Sequence, residues 1–177
     1  MTGHTSLRRR AGFTMVELII VMVLVGILGA VAAARFFDRS GFDAEAFADQ
    51  TRALLRYAQK SAIARNSPVF VQLDDKRIAL CYDAPQGNCA PGQRPAAPAA
   101  GNGDDASRTH CQDERWYCIG VPEGVQVSLS VALSAFYFDA LGRPVTPGGT
   151  PGGLAMTIVS PGESRTVTVH RETGYVQ

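Results

Sequence analysis

Phe13 to Ala34 reads FTMVELIIVMVLVGILGAVAAA, apolar from end to end except for Thr14 and the single acid Glu17. As an α-helix this run extends ~33 Å, about the thickness of a bilayer's hydrocarbon core. Arg8, Arg9 and Arg10 lie just upstream, and Glu17 is the first acid anywhere in the chain. That bias predicts a cytoplasmic N-terminus and an exported remainder. A cleaved signal peptide carries an apolar core of only about 7–15 residues, so the run reads as a retained anchor even though Ala32 to Ala34 imitates a signal-peptidase site. A carboxylate inside such a run costs about 2.5–3.5 kcal/mol on insertion scales. Glu17 therefore needs a partner, or a hydrated position near the interface.

Downstream of the anchor the pattern stays helical but becomes amphipathic over 35–66. Phe47, Thr51, Leu54, Leu55, Ala58 and Ala62 recur at helical spacing, while Arg52, Arg56 and Lys60 step along another face. Arg39-Ser40-Gly41 is a hinge between the two helical halves, Ser40 or Asp43 is available as a cap, and Ser67-Pro68 ends the second half. The remainder, 67–177, is rich in strand signals. Val69–Leu73 and Arg77–Tyr82 form a hairpin around Asp74-Asp75. Val125–Val131, Ala135–Asp139, Ala155–Ser160, Arg165–Arg171 and Tyr175–Gln177 follow as short strands between Pro/Gly turns. Helix first and antiparallel sheet afterwards gives an α+β fold.

Between the strands, Asp83 to Glu114 is dominated by Ala, Pro, Gly and Asn and reads as a long surface loop. Cys81, Cys89, Cys111 and Cys118 flank or occupy it, beyond the anchor, where an oxidising compartment is expected. Two disulfides follow, with three connectivities possible. The nested pair Cys81–Cys118 and Cys89–Cys111 would close one long loop; the local pairing is the alternative. Spacings of C-x7-C and C-x6-C lack the short knuckle of a structural zinc site.

Enzymatic chemistry finds little to work with. His4, His110 and His170 are the only histidines, and no G-x-S-x-G, H-E-x-x-H or phosphate-binding loop occurs. No cofactor or metal is expected. Asp104 and Asp105 are too few for a calcium cage and read as a solvated acidic loop. Removing the three leader arginines turns the formal charge of +1 negative, which does not point to nucleic acid. Arg143, Arg165, His170 and Arg171 are the candidates for a small basic patch that would contact DNA.

The junction Gly12-Phe13-Thr14-Met15-Val16-Glu17-Leu18 resembles the leader-cleavage motif of type IV pilins and type II secretion pseudopilins, G-F-T-L-[IV]-E-L, with Met15 as the one departure. The resemblance implies removal of 1–12 by prepilin peptidase between Gly12 and Phe13, and N-methylation of Phe13. It also implies retention of 13–34 as membrane anchor and assembly helix, with Glu17, the fifth mature residue, pairing with a neighbouring subunit's terminal amine. Phe136 to Pro144 and Val167 to Val176 look like the F-x-x-x-G-x-P and v-x-v-x-x-x-t-G-x-v signatures of the H-type pseudopilin and FimT group. With Phe37 to Asp43 and Arg56 to Lys60, they most resemble MshC-like minor pilins of mannose-sensitive haemagglutinin pili. The implied fold is that of type IV pilins, a long N-terminal helix packed on a C-terminal antiparallel sheet domain. The implied partners are other pilins, prepilin peptidase and an inner-membrane assembly platform, with the head domain periplasmic. Many pilins carry proline where this chain has Ala34, so the helix should be less prone to a kink there, with Gly26 and Gly29 as other soft spots; whether it breaks near Ala34 stays open.

Overall fold

The repeat of apolar residues between Ala44 and Ala62 decides how the larger part of the chain is built. In the computed structural model the described residues are 14–36, 40–84, 87–98, 103–149 and 152–177, with side chains omitted over 32–41. Two units are present, Met1–Arg39 and Ser40–Gln177. The first contains helix α1, Met15–Phe36, whose span includes Ala34. The expected leader, Gly12, Phe13 and the hinge residue Arg39 lie outside the described residues.

The second unit opens with helix α2, Ser40–Arg65. Ala44, Phe47, Ala48, Thr51, Leu54, Leu55, Ala58 and Ala62 are all buried, the i, i+3, i+4 stripe read from the sequence. Asp43 lies inside the first turn, not at a cap. The helix stops one residue earlier than Ser67-Pro68 suggests. Asn66 takes φ 48°, its N–H donates to the Ile63 carbonyl at 3.1 Å, and that of Ser67 donates to the Ala62 carbonyl at 3.2 Å. This closure satisfies the last helical carbonyls, and Pro68 prevents continuation.

Among the described residues eight strands follow: β1 Val69–Leu73, β2 Arg77–Cys81, β3 Cys118–Gly120, β4 Gln126–Leu129, β5 Ala135–Phe138, β6 Pro144–Val145, β7 Leu154–Ser160 and β8 Glu163–Val169. They form two antiparallel sheets instead of one, in the orders β3-β2-β1-β5-β6 and β4-β7-β8. The β1–β2 hairpin turns at Asp74 as expected, its Oδ1 accepting from the N–H groups of Lys76 and Arg77 at 2.8 and 2.9 Å. Tyr175–Gln177 is not a full strand. It folds back on the end of β8 through one bridge, Val169 to Val176. Helix α2 packs against both sheets, and the core combines its Phe47, Leu54 and Leu55 with Val71, Leu80, Phe136, Phe138, Ile158 and Val167.

The segment 83–114 is not a bare loop. It carries a single 3-10 turn at Pro91–Gln93 and helix α3, Asp105–Cys111. Asp104 caps α3, its Oδ1 accepting from the Ser107 N–H at 2.8 Å. The cysteines pair locally, Cys81 with Cys89 and Cys111 with Cys118. The nested arrangement is thereby corrected: each bridge ties one end of the segment to the strand beside it, β2 or β3, and no bridge spans the whole loop.

Candidate assembly site

Helix α1 begins with a cap that hydropathy conceals. Thr14 Oγ1 accepts from the Glu17 N–H at 3.2 Å, and the Leu18 N–H donates to the Thr14 carbonyl. Thr14 and Glu17 thus stand at the N-cap and third positions of a T-x-x-E start, where a carboxylate also complements the helix dipole. Glu17 therefore has a local structural reason to be an acid, in addition to any partner. Beyond it every described side chain is exposed: Leu18 is 51%, Leu24 53% and Leu28 68% accessible. A helix apolar all round is stable only when something outside it covers it. Among the described residues no helix is long and apolar enough to cross a membrane; the described side chains of α1 end at Val31, while its backbone helix continues to Phe36.

The second unit holds its C-terminus against α2 by a polar clamp. Arg56, which spacing places on a basic face, stays exposed and reaches across to the tail: its Nε and Nη2 donate to the Val176 carbonyl at 3.2 and 2.9 Å. One turn on, Gln59 Nε2 donates to the carbonyls of Gly142 and Thr173, at 3.2 and 2.7 Å. The two glycine turns picked out in the sequence meet here. Gly174 has φ +64°, and a Cβ on it would lie 1.8 Å from the Gly142 carbonyl oxygen. Only glycine permits both that backbone and that approach.

The disulfide-bearing layer is organised around Trp116. Its Nε1 donates to the Leu80 carbonyl at 2.7 Å, and Arg94 lies 4.4 Å from the ring centroid. Arg94 also pairs with Asp113 at 2.9 Å. That bond, aided by the Arg115 N–H, holds the Asp113 carboxyl below its usual range. Buried Ser107 joins α3 to β3, its hydroxyl donating to Asp104 Oδ2 at 2.7 Å and accepting from the Gly120 N–H at 2.9 Å. Where α3 approaches the start of α2 an open groove of about 660 Å³ is lined by Asp43, Phe47, Gln50, Asp105, His110 and Glu123. Among the described residues no group of three or more His, Cys, Asp or Glu is placed to hold a metal. All four cysteines are bridged, and Asp104 is engaged as a cap.

The residues of the expected basic patch are placed among acids. Arg143 is paired with Asp139 at 2.8 Å, Arg165 with Glu163 at 2.9 Å and also with Glu45, and Arg171 with Glu172 at 2.9 Å. His170 stacks beside Tyr175, with ring centroids 5.9 Å apart. Each arginine carries its own carboxylate, and Arg165 and Arg171 sit ~20 Å apart along and just beyond β8 at ~3.3 Å per residue.

The prokaryotic N-terminal methylation motif matches residues 7–33, and the family described as type II transport protein GspH matches residues 48–174. The chain is similar to the type IV narrow pilus major component PilA5 of Thermus thermophilus, 40% identical over 67 residues. That match takes in 37% of this chain and spans 58% of the length of that relative. Among solved structures it is similar to the type IV minor pilin FimU of Pseudomonas aeruginosa, with TM-score 0.50 and 16% identity over 75% of this chain and 90% of that one. The minor pseudopilin EpsH of the type 2 secretion system of Vibrio cholerae gives TM-score 0.47 and 16% identity over 79% and 95%. At 16% identity the FimU likeness speaks for the fold alone, and the fold is that of type IV pilins.

Proposed function

Since the chain belongs to the family of the type II transport protein GspH, we propose that it is a non-catalytic minor pilin subunit that helps to assemble or prime a type IV pilus. The observation that carries the reading is α1: a helix behind a methylation motif whose described side chains from Leu18 to Val31 are apolar and exposed, so that its cover has to come from outside the helix. Prepilin peptidase removes 1–12 between Gly12 and Phe13, and Phe13 is methylated. The anchor holds the subunit in the inner membrane as a single pass, with the head periplasmic. Assembly then moves α1 from lipid into the packed helices of neighbouring pilins, where the new terminal amine neutralises Glu17. The combined resemblance of the anchor, Phe37–Asp43, Arg56–Lys60, Phe136–Pro144 and Val167–Val176 to MshC-like minor pilins favours a pilus of the mannose-sensitive haemagglutinin type. The family's description favours a second filament, the pseudopilus of type II secretion.

Glu17→Ala tests the assembly role: membrane insertion should persist while incorporation into filaments is lost, and normal incorporation would sink the proposal. Mass spectrometry of the mature N-terminus should find methylated Phe13; a chain beginning near Arg35 instead would mean signal-peptidase cleavage. Deleting the gene separates the two filaments, since surface pili should vanish in the first case and secretion fail with pili intact in the second.

A further inference from the structure

Three of the four sheet edges are blunted in recognisable ways. The outer side of β3 is covered by the preceding segment, since Ala96 bridges to Trp116 and the Tyr117 N–H donates to the Pro95 carbonyl at 2.8 Å. Strand β6 is two residues long and starts at a proline. Strand β8 meets the folded-back C-terminus, with Thr168 and Gln177 exchanging both backbone bonds at 2.8 and 3.0 Å, and carries Arg165 and Glu163. Such short, charged or covered edges are how sheets avoid pairing with strangers.

Strand β4 has none of these devices. Among the described residues β7 alone pairs with it. The Ser130 N–H donates to the Ala155 carbonyl at 2.8 Å, in register with the Gln126–Val159 and Ser128–Thr157 pairs. The alternation of antiparallel ladders therefore turns the N–H and C=O groups of Val127 and Leu129 away from β7, toward the open side. The stretch Val125 to Leu133 alternates apolar and small or polar residues and contains no charge and no proline. Val131 is 46% exposed. With Leu73, Val127, Leu129 and Leu133 it lines a notch of about 140 Å³ whose rim carries Asp74 and Asp75. Asp74 is bound to Arg77 and to its own turn, whereas Asp75 has no ion pair among the described residues.

We propose that β4 is a docking edge for an extended segment of another protein, added as a fourth strand beside β4-β7-β8. Backbone groups of Val127 and Leu129 would supply the hydrogen bonds, the notch would take the partner's alternate apolar side chains, and Asp75 would select a lysine or arginine flanking them. The inference stands apart from the assembly reading, because a subunit that enters filaments normally and binds no strand fails here alone.

The test uses the full chain in detergent micelles and a synthetic peptide of alternating valine and threonine with a lysine at each end. Binding should slow amide exchange at Val127 and Leu129 by about tenfold while leaving Ser128 unchanged. Replacing the peptide's lysines by glutamate should weaken binding about fivefold, and Asp75→Lys, an exposed site, should reverse that preference. Equal binding of a proline-interrupted peptide, protection confined to other residues, or a self-dimer that already buries β4 would each overturn the assignment.

Discussion

Helices α1 and α2 are of similar length, 22 and 26 residues, in the same chain, yet they solve opposite problems. Along α2 one stripe from Ala44 to Ala62 is buried and the opposite side carries charges such as the Asp49–Arg52 pair at 2.7 Å. Along α1 the apolar residues go all the way round and every described one is exposed. The stability of α2 is internal to its unit, where the sheets supply its cover. That of α1 has to be supplied from outside the helix, since its described apolar side chains all stand exposed. The two helices thus differ in where their cover comes from: α2 is completed by the sheets of its own unit, whereas the described apolar side chains of α1 are uncovered.

The largest effect expected is also the plainest attempt to break this contrast. Leu54→Ala opens a cavity where α2 meets the sheets and should lower the stability of the Ser40–Gln177 unit by about 4 kcal/mol in denaturant titration. Leu24→Ala deletes the same atoms from α1 and should leave that transition where it is, while reducing incorporation into filaments. Equal destabilisation by both would mean that α1 shares the head's core.

Next comes the clamp that fixes the C-terminus to α2. Gly174→Ala places a methyl against the Gly142 carbonyl oxygen at a positive-φ position, and the strain should cost about 3 kcal/mol. Gly162→Ala is the matched control: its φ is also positive, at +85°, but nothing lies within 4 Å of the added carbon, so it should cost only about 1 kcal/mol. If the two glycines prove equally sensitive, the close approach contributes nothing and conformation alone is at work.

Much of this was legible in the sequence because it is local. The α2 stripe, the Asp74 hairpin and the turn glycines Gly142 and Gly174 follow from periodicity and backbone sterics. What escaped depends on distant residues meeting. Arg56 reads as a surface cation until the C-terminal tail offers it the Val176 carbonyl. Helix α3, seven residues long, has no periodicity to reveal it; Asp104 caps it, and the Ser107–Gly120 contact and the Cys111–Cys118 bridge fix it to β3. Gly120 gives no hint of its role, although a Cβ there would lie 2.2 Å from the Ala106 backbone. At the start of α1, the Thr14 cap could have been found: T-x-x-E is visible, but the hydropathy of its surroundings draws attention to the apolar run instead. The choice among disulfide pairings was not available from spacing.

The bridges give a third, smaller test within the head. Replacing Cys111 and Cys118 together by serine releases a loop of seven-residue separation, and chain-entropy arithmetic assigns it about 2.5 kcal/mol. The loss should appear as local exchange in α3 before the unit as a whole unfolds. The α1 helix, with no cysteine, should be indifferent to reductant.

The smallest effect concerns acid, and it belongs to turns of the Ser40–Gln177 unit that lie outside both helices. Burial raises the Asp139 carboxyl, but hydrogen bonds from the Arg143 N–H, the Arg143 guanidinium and the Leu141 N–H, together with the guanidinium charge, outweigh it and leave the group below its usual range. A carboxyl depressed on folding contributes stability that is complete above the unfolded value of about 3.9 and disappears as pH falls through the lower folded value. Asp113 adds a shift of the same sign. Asp139→Asn keeps an oxygen where Oδ1 accepts from the N–H groups of Leu141 and Arg143, both at 2.9 Å, and removes only the ionised partner of the guanidinium. Its cost at pH 7 should be less than about 1 kcal/mol, because the arginine is partly solvated. Variant and parent should converge below the folded value, where the parent is also protonated. A difference that persists into strong acid would assign the loss to turn geometry and not to charge.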